Sequence, residues 1–110
     1  MNKISLTALA HEELEHAQSA SNGRSTKSVH GGSDHLLRQS VIALCAGHSV
    51  AEHDNPGEVT VQVLLGRVLL TSGETSWTGW IGDLLVVPTA PHSLEAIEDA
   101  VVLLTAVRRP

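Results

Sequence analysis

From Leu36 to Val107 the chain is a succession of short apolar runs, each cut by a glycine, a proline or a polar turn. Val59-Thr60-Val61-Gln62-Val63 alternates with period two, which puts three valines on one face of a strand and Thr60 and Gln62 on the other. Leu36 to Ala46, Thr75 to Trp80, Leu84 to Val87 and Val101 to Val107 read as further strands. Leu84 to Val87 is apolar at every position and is expected to be covered on both faces. Turns are expected at His30-Gly31-Gly32-Ser33-Asp34, Asp54-Asn55-Pro56-Gly57, Ser72-Gly73-Glu74 and Pro88 to Pro91. Gly66 is expected as a turn or bulge inside the run from Val59 to Thr71, and Glu95 to Asp99 as a polar stretch before the last strand. Short strands at this spacing indicate a closed barrel or sandwich. Phe and Tyr are absent, so the core is built from Val, Leu, Ile and Ala, with Trp77 and Trp80 the only large aromatic side chains.

Residues 5–18 read as a helix. Ser5 is the expected N-cap, Leu6, Leu9, Leu14 and Ala17 share a face, and Glu12, Glu13, Glu15 and His16 lie mostly off it. A single short amphipathic helix must dock on something, either the sheet of its own subunit or that of a partner. Ser19 to Lys27 is polar and turn-rich, a linker or extended arm. The expected organisation of this 110-residue, one-domain chain is an N-terminal helix and arm at 1–28 followed by a β-barrel at 29–110.

Charge narrows the function classes. The net charge is −5, the few Lys and Arg are scattered, and there is no helix-turn-helix pair, so nucleic acid is not an expected partner. Cys45 is the only cysteine, which excludes an internal disulfide; in its apolar run it reads as a small buried hydrophobe. The N-terminus has no continuous apolar stretch of the kind a signal peptide needs, and no segment approaches the roughly 20 apolar residues of a membrane span. A cytoplasmic protein without membrane contact is the expectation.

His53 and Asn55, two apart, share a face if extended. His92 follows a strand and a proline turn, and separate barrel elements can bring it to His53. Two imidazoles and an oxygen suit Fe, Mn, Ni, Cu or Zn. The plainer alternatives are a hydrogen-bonded core histidine at 53 and a turn histidine capped by backbone at 92. His30 and His35 flank a Gly-Gly turn and can approach the barrel mouth or a partner subunit. His11, His16 and His48 read as surface residues. Arg38 and Gln39 interrupt an apolar strand, so one of the two must face inward and find a polar partner. Trp77 and Trp80, three apart, point to opposite faces of their strand. Ser40 and Ser93 have no matching His-Asp arrangement.

The stretch from Gly47 to His92 resembles the two signature motifs of the cupin superfamily, small antiparallel β-barrels of the jelly-roll type. The first motif, G-x5-H-x-H-x3,4-E-x6-G, is matched by Gly47, His53 and Gly66, with Asn55 at the second histidine and Val59 at the glutamate. The second, G-x5-P-x-G-x2-H-x3-N, is matched by Gly82 and Pro88, with Ala90 at the inner glycine, His92 one residue early and Ala96 at the asparagine. The fifteen residues from Arg67 to Ile81 equal the spacer of minimal bacterial cupins, and the whole chain looks like the small single-domain bacterial cupins of unassigned function.

The resemblance implies an all-β cupin barrel with one N-terminal helix, and a homodimer paired through sheet edges. It implies a pocket around His53, Asn55, Val59, Val61, Gln39 and His92, with His53 and His92 as the metal positions for a divalent ion such as Zn, Fe, Mn, Ni or Cu. Glu58 can replace the missing glutamate only if the strand begins after it, since a one-residue shift turns a side chain to the other face. Three functions stay open: a small-molecule binder with a largely apolar barrel, a metal-dependent dioxygenase or isomerase with an incomplete ligand set, and a structural or regulatory dimer in which the barrel is a scaffold and the N-terminal helix and arm are the useful part.

Overall fold

The computed structural model describes residues 2–53 and 57–108, side chains included except at 51–53 and 108. Helix α1 (Leu6–Ser19) begins where the Ser5 hydroxyl accepts the Ala8 amide at 3.2 Å. Nine strands follow: β1 (Arg24–His30), β2 (Leu37–Leu44), β3 (Ser49–His53), β4 (Gly57–Leu65), β5 (Arg67–Ser72), β6 (Thr75–Trp80), β7 (Leu84–Val87), β8 (His92–Ala96) and β9 (Ala100–Arg108). All pairings are antiparallel and form two sheets, ordered β1-β2-β9-β4-β7 and β3-β8-β5-β6. From β2 onward the chain passes from one sheet to the other, except at the β5–β6 hairpin; this is a jelly roll.

Strand alternation divides the apolar residues between two cores. Val59, Val61 and Val63 of β4, Leu44 of β2, Val102 of β9, Val68 and Leu70 of β5, and Leu94 and Ala96 of β8 meet between the sheets. Val41, Ala43, Val101 and Leu103 project from the outer face of the five-stranded sheet, where Leu9, Ala10 and Ala17 of α1 cover them. Ala100 to Leu103 is therefore buried at every position, which explains its unbroken apolar run. At Gly79 of β6 the sheets pack tightly: a Cβ there would stand 3.0 Å from both Val63 and Leu85 side chains.

Several expectations need correcting. The arm proposed for Ser19 to Lys27 is the end of α1, a turn and, from Arg24, the start of strand β1, paired with β2 from Arg24↔Leu44 onward, so a boundary at 28 would fall inside a strand of the five-stranded sheet. Of the two expectations for Gly66 the turn holds and the bulge does not: it is the crossover between β4 in one sheet and β5 in the other. Strand β7 is an edge, covered on its inner face only, and Leu84 and Val86 are exposed. The polar stretch at 95–99 is partly strand β8. Glu13 is buried, because it lies midway between Leu9 and Ala17 on the docked stripe at four-residue spacing. It accepts the Ser25 hydroxyl at 2.6 Å and fastens α1 to β1.

One end of the barrel is densely tied. The Asp99 carboxylate accepts the Ala46 amide at 2.8 Å and the Gln18 side chain at 3.1 Å, joining the β8–β9 turn to the end of β2 and to α1. Cys45 donates its amide to the Gly23 carbonyl, Gly47 donates its amide to the Ala96 carbonyl, and Ala96 donates its own to the His48 carbonyl. The opposite end carries the β1–β2 hairpin, the start of β4 and the Pro88 to Pro91 link.

Two predictions concern this tied end. Gly66 has φ +73°, and a Cβ there would collide with the Asp99 carbonyl and lie 2.9 Å from Ala100 Cα. Gly66→Ala is expected to destabilise by more than about 2 kcal/mol in urea unfolding, whereas Gly73→Ala, left-handed but with open space around it, costs about 1 kcal/mol. The bond from the Ala46 amide, then that from Gln18, hold the Asp99 carboxyl below its ordinary pKa. A depressed pKa contributes stability that is present above the unfolded value of about 3.9 and lost as pH falls through the folded one. Asp99→Ala should therefore cost about 1 kcal/mol at neutral pH, with the gap to the unsubstituted chain closing below about pH 4.

Candidate functional site

Alternation along β4 and β8 decides what enters the barrel. Val61 of β4 and His92 and Leu94 of β8 point inward and meet Ile42, Val50, Leu70 and Leu104 around a space of about 20 Å³. That is room for about one water molecule. His92 is the polar member of this lining and only 5% exposed. Its Nδ1 lies 3.1 Å from the Ala90 carbonyl oxygen. A carbonyl only accepts, so Nδ1 carries the hydrogen and in the neutral ring Nε2 holds the lone pair. An imidazole fixed through Nδ1 to a backbone carbonyl is oriented as metal-ligating and hydrogen-bonding histidines are.

The ladder between β3 and β8 sets His53 opposite His92, after an irregularity between Val50 and His53. The His53 side chain and the whole of Asn55 lie outside the described residues. Val59 faces inward and packs in the barrel core. Glu58 cannot take its place. Strand β4 begins at Gly57, so Glu58 is already in the ladder, opposite Val107, and is exposed on the outer face. Among the described residues, then, His92 is the donor in the barrel interior. A catalytic zinc-type site takes three protein ligands, and the described donors do not amount to one.

Gln39, expected in the pocket, is on the other side of the sheet. It pairs with Thr105 of β9, and its side chain donates to the Thr105 hydroxyl at 3.1 Å on the outer face. The inward residue of the two is Arg38, which follows the parity of Ser40 and Ile42. Trp77 and Trp80 do take opposite faces, and both are about half exposed: Trp77 pairs with inward-facing Leu70, and Trp80 lies beneath the Arg67 guanidinium at 4.6 Å.

Glu12, Glu13 and His16 form the group of close metal-type donors found among the described residues. Both Glu13 oxygens already have partners, Ser25 and His16 Nδ1 at 3.2 Å, so the group serves to dock the helix. Burial, and to a lesser degree the Asp99 carboxylate, raise the Cys45 thiol pKa, which keeps it protonated and unreactive. No helix among the described residues is long and apolar enough to cross a membrane.

No family model and no curated protein sequence matches the chain. Solved structures do. A cupin superfamily protein from Desulfitobacterium hafniense superposes with a TM-score of 0.79 at 16% identity, over 98% of this chain and 92% of its own. A conserved protein of unknown function from Streptococcus pyogenes gives 0.74 at 24% identity, over 83% and 79%. An RmlC-like cupin protein from Desulfovibrio desulfuricans gives 0.67 at 25% identity, over 76% and 81%. At these identities the likeness carries the fold.

Proposed function

We propose that this chain, a small cupin-domain protein by its fold, is a cytoplasmic binder of a small molecule whose polar tip reaches His92. The observation that supports this is a buried, oriented imidazole set in an otherwise apolar lining of Ile42, Val50, Val61, Leu70, Leu94 and Leu104. Apolar walls with one placed polar group are the usual make-up of a small-ligand site. The space beside His92 takes one water-sized group, so a hydroxyl or carbonyl oxygen of the ligand replaces a water there. The rest of the molecule extends toward the end that carries the β1–β2 hairpin.

A second reading, a divalent metal held by His53 and His92 in a metal-dependent enzyme, is favoured by the Nδ1 bond to Ala90 and by the ladder position of His53. One experiment separates the two: elemental analysis of protein purified without chelators, beside a His53→Ala, His92→Ala double variant, followed by a thermal-shift screen of small organic molecules. The binder reading expects no stoichiometric metal. It also expects compounds that, at about 100 times Kd, add about 2.7 kcal/mol of stability in the unsubstituted chain and little in His92→Ala. Near one metal per chain, lost in the double variant, transfers the case to the metal reading. No metal and no stabilising compound sinks both.

We also propose that two copies pair across the seam of β6 and β7. Strand β7 is the free edge of its sheet, and Val86 (73% exposed), Leu84 (59%) and Trp77 (44%) line an apolar groove beside it. Unpaired edge groups flanked by apolar side chains suit an antiparallel partner related by a two-fold axis. Light scattering should give the mass of two chains, falling to one in Val86→Asp; a monomer from the start, or a dimer that Val86→Asp leaves intact, overturns the pairing.

A further inference from the structure

We infer that the concave face of the β1–β2 hairpin is an oxyanion site, built for small molecules that carry a carboxylate or a phosphate. This goes beyond the barrel reading and does not depend on it, since its residues and its readout are separate. Ser28 pairs with Ser40, and Ser40 with Leu104, a residue that packs on the barrel core. Ser28, Ser40 and, two residues back, Arg38 therefore share the concave face. A register shift between Ser28 and His30 brings His30 to the same cavity. The cavity holds about 330 Å³, within the range of small-ligand sites, and is lined by Ser28, Ser33, Ser40, His30, Arg38 and the Gly31-Gly32 backbone.

None of these lining residues is acidic, in a chain whose net charge is −5. Arg38 is held in place rather than neutralised. Gly31 packs over it so closely that a Cβ there would stand 3.1 Å from Arg38 Cα and Cγ. Its Nη2 donates to the Gly32 carbonyl at 3.3 Å, and its Nε is shut from solvent with no hydrogen-bond partner among the described residues. Among the described residues no carboxylate pairs with it. Asp34, at the rim, faces His35 Nδ1 at 3.1 Å instead, and the His35 ring in turn meets His30 edge to face at 5.3 Å between centroids. A guanidinium has five N–H donors in a fixed fork, and among the described residues one long bond to a carbonyl uses little of that capacity and compensates none of the charge. An oxyanion supplies what is missing, with the Ser28 and Ser40 hydroxyls and the His30 ring as additional donors.

The test is amide-resolved NMR titration of the full chain with inorganic phosphate in one arm and acetate in the other, ionic strength held constant with sodium chloride. Saturable shifts at residues 28–33 and 38–40 are expected, and the tighter arm identifies the preferred oxyanion. Arg38→Gln should weaken binding about tenfold or more, the loss expected for a charge-assisted hydrogen bond. Lys27→Gln, which removes the same charge from the opposite face of β1, should leave the affinity unchanged. A Ser28→Ala, Ser40→Ala double variant provides a second route if the Arg38 substitution disturbs the hairpin, and it should weaken binding about threefold or more. Shifts that do not saturate in either arm, shifts spread over the surface, or affinities unmoved by both the Arg38 and the serine variants overturn the site.

Discussion

Strand β9 is buried on both faces, and the rest of the molecule is arranged around that fact. Val102 and Leu104 pack between the sheets, while Val101 and Leu103 need a cover on the outside. Helix α1 is that cover. Burying a Val or Leu side chain contributes roughly 1.5–3 kcal/mol, so an uncovered outer face would forfeit several such contributions. The helix is too short to be stable alone, and the sheet is too apolar to stand bare; each supplies the other's missing surface. Glu13 is the one charged group drawn into this contact, and its two oxygens are satisfied by Ser25 and His16.

A core made without Phe or Tyr has a consequence at the site. Branched aliphatic side chains from facing sheets interdigitate closely, and the interior left beside His92 is water-sized. Where a glutamate would point into a metal-bearing barrel, Val59 adds one more packing residue. The interior has thus been given over largely to stability. What polarity remains on the concave side is His92, fixed by Ala90, and the Arg38 group beyond the packed region.

Much of this was legible in the chain itself. Val59 to Val63 announced a one-faced strand and Ser5 a helix start, because each depends on local periodicity or local turn chemistry; the spacing of the strands indicated a barrel or sandwich, and the resemblance of Gly47 to His92 to the cupin motifs implied the jelly roll. The errors arose where tertiary context decides. Leu84 to Val87 looked doubly buried because composition does not tell an edge strand from a central one. Ser19 to Lys27 looked like an arm because a solvent-facing edge strand such as β1 can be polar. Gln39 and Arg38 could be told apart only once the parity of β2 was fixed by its pairing with β9. Glu13 was recoverable, since Leu9, Glu13 and Ala17 follow the four-residue repeat of the docked face.

The two ends of the barrel differ in what they can tolerate. At one, the β8–β9 turn, the end of β2, the Gly66 crossover and the helix terminus are bonded into a single knot through Asp99 and neighbouring amides. At the other stand the β1–β2 hairpin, the start of β4 and the link into β8, none of which enters that knot. Insertions, altered turn lengths and new side chains can accumulate at that second end without unpicking the first. Descent from a common scaffold can therefore alter one pole while inheriting the other intact, so relatives of this chain should vary least where the strands are tied.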